Sequence, residues 1–150
     1  MNISILIPSR NNRPYLELAY NSIRKTQGNH FVEILVLDDI SEKDDTWWWC
    51  SETMKVDPNF KAFINSRSER LGISSGYKFL SQQATQEIIC HFHADMVMTE
   101  GTLDAVEKYL ITEVEGPNSK NGTRYFLPET KNVVCLTRIE PPIYDKPGIY

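Results

Sequence analysis

The stretch ISILIPS, from Ile3 to Ser9, is a nearly continuous apolar run that ends in a proline and a serine. Such a run is expected of a β-strand that is buried on both faces of a sheet. The next segment, RPYLELAYNSIRKTQ (residues 13–27), repeats its apolar side chains at helical spacing, and Pro14 suits a first helical turn. A buried strand followed by an amphipathic helix is the repeating unit of an α/β fold.

This unit recurs along the chain. Further strands are predicted at VEILVLDD (32–39), FKAFINS (60–66), EIICHFH (87–93) and NVVCLTRI (132–139). Further helices are predicted at SEKDDTWWWCSETMK (41–55), GISSGYKFLSQQA (72–84) and TEGTLDAVEKYLI (99–111). The alternation predicts one α/β domain over residues 1–150, with a Rossmann-like, mostly parallel sheet and helices on both faces. Residues 118–150 are expected to be an irregular, loop-rich tail that contains one strand.

The second predicted helix contains the triplet Trp47–Trp49, and Ser41 or Asp44 is available as its N-cap. One or two of three consecutive rings on a helix must face inward, so covering the sheet is their expected role. The remaining ring is then available as a sugar platform or a partner contact.

The composition argues against several classes of function. A net charge of −4 over 150 residues and an isoelectric point near 5.4 speak against a nucleic-acid or anionic-membrane binder. Cys50, Cys90 and Cys135 form no CxxC pair, which favours a reducing compartment over a disulfide framework. No apolar run approaches the roughly 18 residues that a membrane helix needs, and no signal-like segment follows Met1. We therefore expect a cytoplasmic protein with no nucleic-acid partner and no transmembrane segment.

Polar side chains collect where each predicted strand ends. They are Ser9, Arg10 and Asn11 after strand one, Asp38 and Asp39 after strand two, Asn65, Arg67 and Arg70 after strand three, and His93 and Asp95 after strand four. Ligands of open α/β sheets bind at the carboxyl ends of the strands, so these residues are predicted to converge on one site.

The acidic pair Asp38-Asp39 has two possible roles. It can act as a turn and helix cap, or a carboxylate can accept hydrogen bonds from a base or a ribose hydroxyl. The SRNN segment after strand one (residues 9–12) contains no glycine, and no GxGxxG is present there. This absence argues against a dinucleotide cofactor, because such a loop cannot cradle a pyrophosphate with its backbone.

The segment IICHFHADM (residues 88–96) brings together three possible metal ligands, His91, His93 and Asp95. In an extended strand, side chains two residues apart share a face, so the three are predicted to line up on one side. A carboxylate and an imidazole suit Mg²⁺ or Mn²⁺ beside a diphosphate. The alternative is a strand-end acid that caps the next helix, with histidines facing a wet cleft.

Three segments together resemble the nucleotide-binding half of an inverting family-2 glycosyltransferase with the A-type fold. They are ISILIPSRNN, EILVLDDIS and ATQEIICHFHADM, and the resemblance covers about residues 1 to 110. That family typically shows a strand ending in Pro-Thr/Ser-Tyr-Asn and a strand ending in Asp-Asp-x-Ser. It then shows Ala-x-Gly-Glu-Tyr-Ile followed by an Asp-x-Asp.

The resemblance implies transfer of a sugar from a nucleotide-diphosphate sugar, expected to be a UDP-sugar, to a hydroxyl of a glycan, lipid or protein acceptor. It implies Mn²⁺ or Mg²⁺ as cofactor, with Asp95 and His93 as metal ligands. The nucleotide-binding residues that it implies are Pro8, Ser9, Arg10, Asn11, Asp38, Asp39, Arg67, Arg70 and Lys78.

The chain departs from the family pattern at two places. His93 replaces the first Asp of the Asp-x-Asp, and Tyr77-Lys78 replaces an Arg-Asn that is often found in the preceding helix. The catalytic base of this family generally lies well beyond the metal motif, together with much of the acceptor half, which is expected to be lacking here. Possible bases are Glu129, Glu140 and Asp145, and no pattern favours any of them.

Two other functions fit parts of the sequence. One is a non-catalytic or truncated nucleotide- or sugar-binding module. The other is a metal-dependent hydrolase, because His91-x-His93-x-Asp95 copies the opening of a His-x-His-x-Asp-His motif. Met96 stands where the next histidine should be, and the remaining histidine, His30, is far upstream, so the hydrolase is the less favoured of the two.

Overall fold

Four parallel strands form one sheet in the computed structural model, which describes residues 1–111 apart from the side chains of Tyr109 and Ile111. In chain order the elements are β1 (Asn2–Ser9), α1 (Arg13–Thr26), β2 (Phe31–Asp38), α2 (Thr46–Val56), β3 (Phe60–Ile64), α3 (Gly72–Gln83), β4 (Ile88–His91) and α4 (Thr102–Ile111). Every strand and helix predicted before residue 112 is present. The predicted fifth strand and the loop-rich tail lie outside the described residues.

The strand order is β3-β2-β1-β4, and every pair is parallel. β1 pairs with β2 along its whole length, from Asn2 opposite Phe31 to Ser9 opposite Asp38. The chain moves outward on one side of β1 for two strands and then crosses to its other side for β4. This reversal creates a topological switch point at the carboxyl ends of β1 and β4, the place where α/β sheets bind ligands.

Helices cover both faces of the sheet, as the alternation predicted. On one face, the alternate residues Ile3, Ile5 and Ile7 of β1 pack in one core with α1 and α2. On the other face, Leu6 of β1 packs with Leu80 of α3. Both faces of β1 are therefore buried, and this explains why its sequence is apolar almost throughout.

The tryptophan triplet divides as expected. Trp49 is buried and meets the rings of Tyr20 and Phe60 edge to face, with ring centroids 5.6 and 5.7 Å away. Trp47 is partly buried against the same core, whereas Trp48 is 57% exposed. The prediction that the rings cover the sheet is confirmed for Trp49.

The beginning of α2 differs from the prediction. The helix starts at Thr46, and its N-cap position is Asp45 rather than Ser41 or Asp44. Asp44 nevertheless supplies the capping oxygen, because its carboxylate accepts hydrogen bonds from the Thr46 N–H at 3.1 Å and the Thr46 hydroxyl at 2.6 Å. A cap of this kind satisfies an N–H that has no partner inside the helix.

Met1–Ala105 form one compact unit, which contains the whole sheet. A second unit, Val106–Tyr150, is described only as far as Ile111, where α4 ends. The sequence-based assignment of residues 1–150 to a single domain stays a prediction.

Candidate functional site

The β1–α1 and β2–α2 loops are joined by hydrogen bonds at the carboxyl ends of their strands. The Asn11 N–H donates to the Ser41 hydroxyl at 2.8 Å. The side-chain oxygen of Asn11 in turn accepts from the N–H groups of Glu42 and Lys43 at 2.8 and 2.9 Å. Asn11 adopts a left-handed backbone with φ of 49°, which asparagine tolerates better than most residues. The predicted site residue Asn11 therefore fixes two loops to each other.

Ile40 is strained in the same junction. It has a φ of 62°, a left-handed conformation that is unfavourable for a β-branched side chain. Its carbonyl accepts a hydrogen bond from Arg10 Nε at 3.2 Å. Strained residues of this kind persist where the surrounding structure holds them, and they are frequent at functional sites.

Asp39 is buried, and its carboxylate is largely occupied by protein donors. Oδ1 accepts from Asn65 Nδ2 at 2.7 Å and from the Leu71 N–H at 2.9 Å, and Oδ2 accepts from the Gly72 N–H at 2.9 Å. Burial alone would raise the pKa of this carboxyl, but these hydrogen bonds and the charge of Arg70 hold its pKa below the usual range. Asp39 is therefore ionised and anchors the start of α3.

Asp38 has a different environment. It is fully buried at the end of β2 and accepts a hydrogen bond from the Ser41 N–H at 3.0 Å. Burial raises the pKa of the Asp38 carboxyl above its usual value, although hydrogen bonds from Ser41 partly oppose the rise, and the neighbouring acids Asp44 and Asp39 add to it. Asp38 therefore stabilises a turn and Asp39 caps a helix, which is the first of the two roles that the sequence left open. The second role, accepting hydrogen bonds from a base or a ribose hydroxyl, stays a prediction.

The last two residues of β1, Pro8 and Ser9, have different surroundings. The Ser9 hydroxyl is buried and has no hydrogen-bond partner within residues 1–111, so it has unused hydrogen-bonding capacity at the end of β1. Pro8 packs against Gly76 of α3, where an added Cβ would lie 3.1 Å from Pro8 Cβ. Gly76 is a residue that sequence analysis missed, since only the fold shows that β1 and α3 approach this closely.

An open cleft of about 480 Å³ adjoins the junction of the two loops. Its lining residues are Arg10, Ile40, Glu42, Ser68, Glu69 and Arg70. Two of the predicted nucleotide-binding cations therefore lie together, Arg10 from the β1–α1 loop and Arg70 from the β3–α3 loop. We call this the first cleft.

The other two predicted cations, Arg67 and Lys78, line a different cleft of about 390 Å³, which we call the second cleft. It also contains Asn65, whose amide donates to Asp39. The structure thus separates the four cations into two pairs. The sequence placed them in one site because it does not reveal on which side of α3 Lys78 lies.

The tip of β4 carries the predicted metal ligands. β4 ends at His91, earlier than predicted, and the chain then turns, with the Met96 N–H donating to the His93 carbonyl at 3.2 Å. His91, His93 and Asp95 are all exposed, but Asp95 lies in this turn rather than on an extended strand. The expectation that a single strand aligns all three side chains is wrong in this respect, since the strand does not continue that far.

Tyr77 of α3 lies against this tip. Its ring stacks on the His91 ring, with centroids 4.3 Å apart and planes 13° apart, and its edge approaches His93 with centroids 6.3 Å apart. Its hydroxyl donates to the Phe92 carbonyl at 3.0 Å. Burial raises the pKa of Tyr77 to about 12, with the charges of Cys90 and Asp95 adding to the effect, so the hydroxyl remains a donor at neutral pH.

The β4 tip fits a metal ion only in part. Within residues 1–111, no group of three or more His, Cys, Asp or Glu side chains is placed to hold a metal ion. In the same part of the chain, the side chains of His93 and Asp95 form no hydrogen bond or ion pair, so both are available as ligands. Two exposed protein ligands suit a cation that takes its remaining ligands from a diphosphate and water.

No helix among residues 1–111 is both long enough and apolar enough to cross a bilayer.

Solved structures with a similar fold include a mannosyltransferase and the S. aureus protein TarS. The mannosyltransferase PcManGT from Pyrobaculum calidifontis, in complex with GDP-Man and Mn²⁺, has a TM-score of 0.62 at 22% identity, over 73% of this chain and 32% of its own. S. aureus TarS 1-349 has a TM-score of 0.60 at 22% identity, over 76% of this chain and 34% of its own. The same TarS fragment in complex with UDP-GlcNAc also has a TM-score of 0.60 at 22% identity, over 76% of this chain and 33% of its own. This chain therefore spans about a third of the length of these proteins.

No curated protein sequence matches the chain. A family model described as "Glycosyl transferase family 2" does match it, over residues 4–116, a range that contains all of the sheet except Asn2 and Ile3, together with both clefts and the β4 tip. The parallel sheet, the polar loops at its switch point and this match over most of the chain agree with one another. The chain belongs to glycosyl transferase family 2.

Proposed function

We propose that this domain binds a UDP-sugar in the first cleft and transfers its sugar to an acceptor hydroxyl, with Mn²⁺ or Mg²⁺ at the β4 tip. The observation that carries the proposal is the rigid junction beside the first cleft. Asn11 and Ile40 are both held there in left-handed conformations by hydrogen bonds between neighbouring loops. Loops fixed in this way offer a ligand a preformed surface and reduce the entropy lost on binding.

The proposed nucleotide site uses the residues that lie around this junction. They are Pro8, Ser9, Arg10, Asn11, Asp38, Asp39 and Arg70. Arg10 and Arg70 supply positive charge to the first cleft. The Ser9 hydroxyl has no partner within residues 1–111 and is available to hydrogen-bond to the ligand. Asp39 retains an unused lone pair on Oδ2, which could accept one hydrogen bond from the base.

His93 and Asp95 would hold the cation, with the donor's phosphate oxygens completing its ligands. A divalent cation there would offset the negative charge that develops on the departing diphosphate. In an inverting transfer, the acceptor oxygen bonds to the anomeric carbon as the carbon–phosphate-oxygen bond breaks on the opposite face. The hydroxyl proton passes to a base, for which Glu129, Glu140 and Asp145 remain candidates outside the described residues.

A panel of nucleotides tests the donor class. UDP, GDP and ADP would be compared by their effect on the unfolding temperature of the full chain, with and without Mn²⁺, because a ligand of the native state raises apparent stability. We expect UDP with Mn²⁺ to give the largest rise. Arg10→Gln should reduce that rise, whereas Lys25→Gln, which removes an exposed cation from α1, should not.

A transfer assay separates an enzyme from a binding module. We expect release of UDP from a UDP-sugar, slowly to water and faster in the presence of an acceptor. Binding of UDP-sugar without any release would instead favour the non-catalytic module. The metal-dependent hydrolase gains no support from residues 1–111, where no three His, Cys, Asp or Glu side chains are placed to hold a metal ion together.

A further inference from the structure

The second cleft lies between the segment after β3 and one face of α3. Its helical wall is formed by Ser75, Lys78, Phe79 and Gln82, which share a face because they are three or four residues apart. Its opposite wall is the segment from Ile64 to Arg67. Its volume of about 390 Å³ lies within the range of small-molecule sites.

Positive charge in the second cleft is not balanced by protein acids. Arg67 and Lys78 both line it, and no Asp or Glu is among its lining residues. Within the described part of the chain, neither cation takes part in an ion pair. The first cleft, in contrast, contains two acids beside its two arginines. Although the protein has a net charge of −4, two cations without acidic partners in a concave site create a local positive potential that attracts anions.

Part of the lining of the second cleft is apolar. Leu37, Ile64 and Phe79 form this apolar lining, and Ile64 is 49% exposed. The Phe79 ring is held by an edge-to-face contact with Phe63, with centroids 5.4 Å apart. A bare inorganic anion would leave this apolar surface in water, whereas an anion with an organic part could cover it.

We propose that the second cleft is a binding site for a phosphate ester, separate from the donor site in the first cleft. The planar guanidinium of Arg67 suits paired hydrogen bonds to phosphate oxygens, and Lys78 adds a compact positive charge. Ser66 and Ser75 line the same cleft with hydroxyl donors. The organic part of the ester packs on Phe79 and Ile64. Arg67 and Lys78 thereby take a role distinct from that of Arg10 and Arg70.

Nuclear magnetic resonance on the full chain tests this proposal with two probes, phenyl phosphate and inorganic phosphate, at low ionic strength. We expect phenyl phosphate to shift the amide signals of Ser66 and Ser75 and to bind more tightly than inorganic phosphate. The double variant Arg67→Gln/Lys78→Gln should weaken phenyl phosphate binding by about tenfold or more, because it removes the charged donors. The matched variant Arg10→Gln/Arg70→Gln, which also loses two positive charges, should leave that binding unchanged.

Loss of phenyl phosphate binding in Arg10→Gln/Arg70→Gln, or its displacement by saturating UDP, would assign the phosphate to the first cleft and overturn the proposal. Equal affinity for the ester and for inorganic phosphate would overturn the role of the apolar lining, and no binding of either probe would overturn the site. A UDP titration of both double variants keeps the two proposals distinguishable. UDP binding that neither variant weakens would contradict the donor site and leave the second cleft in place.

Discussion

Asp39 has hydrogen-bond partners that its position in the sequence does not reveal. The sequence predicted that a strand ends at the Asp38-Asp39 pair, and β2 does end at Asp38. The partners of the carboxylate come from Asn65 and from the N–H groups of Leu71 and Gly72, some thirty residues further along the chain. Contacts of this range depend on the fold, so a local pattern cannot predict them.

Asp39→Asn is expected to destabilise the protein as well as weaken UDP binding. The amide keeps the shape but turns an NH₂ group toward donors, and a mispaired buried group costs about 1–3 kcal/mol. Because the pKa of Asp39 is lowered in the native state, its stabilising effect is present above its ordinary value of 3.8 and is lost as the pH falls through the lowered pKa. Urea unfolding at pH 7 measures the loss. Asp45→Asn, at an exposed ion pair with Arg13, is the control and should cost less than about 1 kcal/mol.

Ile40→Gly is expected to be tolerated although it removes a branched side chain. Glycine adopts positive φ freely, so the substitution removes strain of about 1–2 kcal/mol, which offsets the lost contacts and the greater freedom of the unfolded chain. Ile64→Gly is the control, since Ile64 has the same side chain, lies in the extended strand β3 and is 49% exposed. The free energy of unfolding should fall clearly for Ile64→Gly and little for Ile40→Gly. Equal losses would mean that Ile40 stores no strain.

The elements themselves could largely be predicted from the sequence, because each strand is a short apolar run and each helix repeats its apolar residues with its own period. Their ends were less predictable. β4 stops at His91 because the chain then turns between His93 and Met96, and the ligand spacing alone carries no signal of that turn. The sequence also did not reveal that the neighbouring side chains of Tyr77 and Lys78 lie in different places. Consecutive helical residues point about 100° apart, so Tyr77 contacts the β4 tip while Lys78 lines the second cleft.

The packing of α3 on β1 depends on Gly76. Glycine to alanine in a helix ordinarily stabilises by about 0.5–1 kcal/mol, because the alanine side chain restricts the unfolded chain. At Gly76 the added Cβ would lie 3.1 Å from Pro8 Cβ and 3.4 Å from Leu37 Cδ2, so overpacking should reverse the sign and cost about 1–3 kcal/mol. Ser74→Ala on the exposed side of the same helix is the control. A stabilised Gly76→Ala protein would contradict the close approach of β1 and α3.

The response of the whole molecule to acid should depend on Glu33, a buried carboxylate near the start of β2, at the opposite end of that strand from Asp38. Glu33 accepts hydrogen bonds from Ser4 Oγ and Lys61 Nζ at 2.7 Å each and from the Thr85 N–H at 3.0 Å, joining β1, β2, β3 and the approach to β4. Burial would raise the pKa of Glu33, but the bonds from Lys61, Thr85 and Ser4 lower it below its ordinary value of 4.5. The stabilisation is therefore present above that value and is lost as the pH falls through the lowered pKa.

Glu33→Gln should reduce the free energy of unfolding at pH 7 by about 1–3 kcal/mol, since it weakens a buried set of charged hydrogen bonds. The difference from the native protein should shrink as the pH falls from 4.5 through the lowered pKa, because the carboxyl is protonated first in the unfolded chain and then in the native protein. Denaturant unfolding across pH 3 to 7 measures both effects. Glu52→Gln removes the exposed ion pair with Lys55 and should cost less than about 1 kcal/mol. A loss for Glu33→Gln that does not depend on pH would show that the carboxylate charge contributes nothing.

The central proposal is a metal-dependent nucleotide site formed by the first cleft and the β4 tip. Calorimetric titration of UDP, in Mn²⁺ and in EDTA, tests it on the native chain, on Asp95→Ala and on the control Glu100→Ala, which removes another exposed acid a few residues away. The native protein and the control should bind UDP more tightly with Mn²⁺, and Asp95→Ala should bind it equally in both conditions. Equal UDP affinity of the native protein in Mn²⁺ and in EDTA, or a metal dependence that survives in Asp95→Ala, would contradict the account.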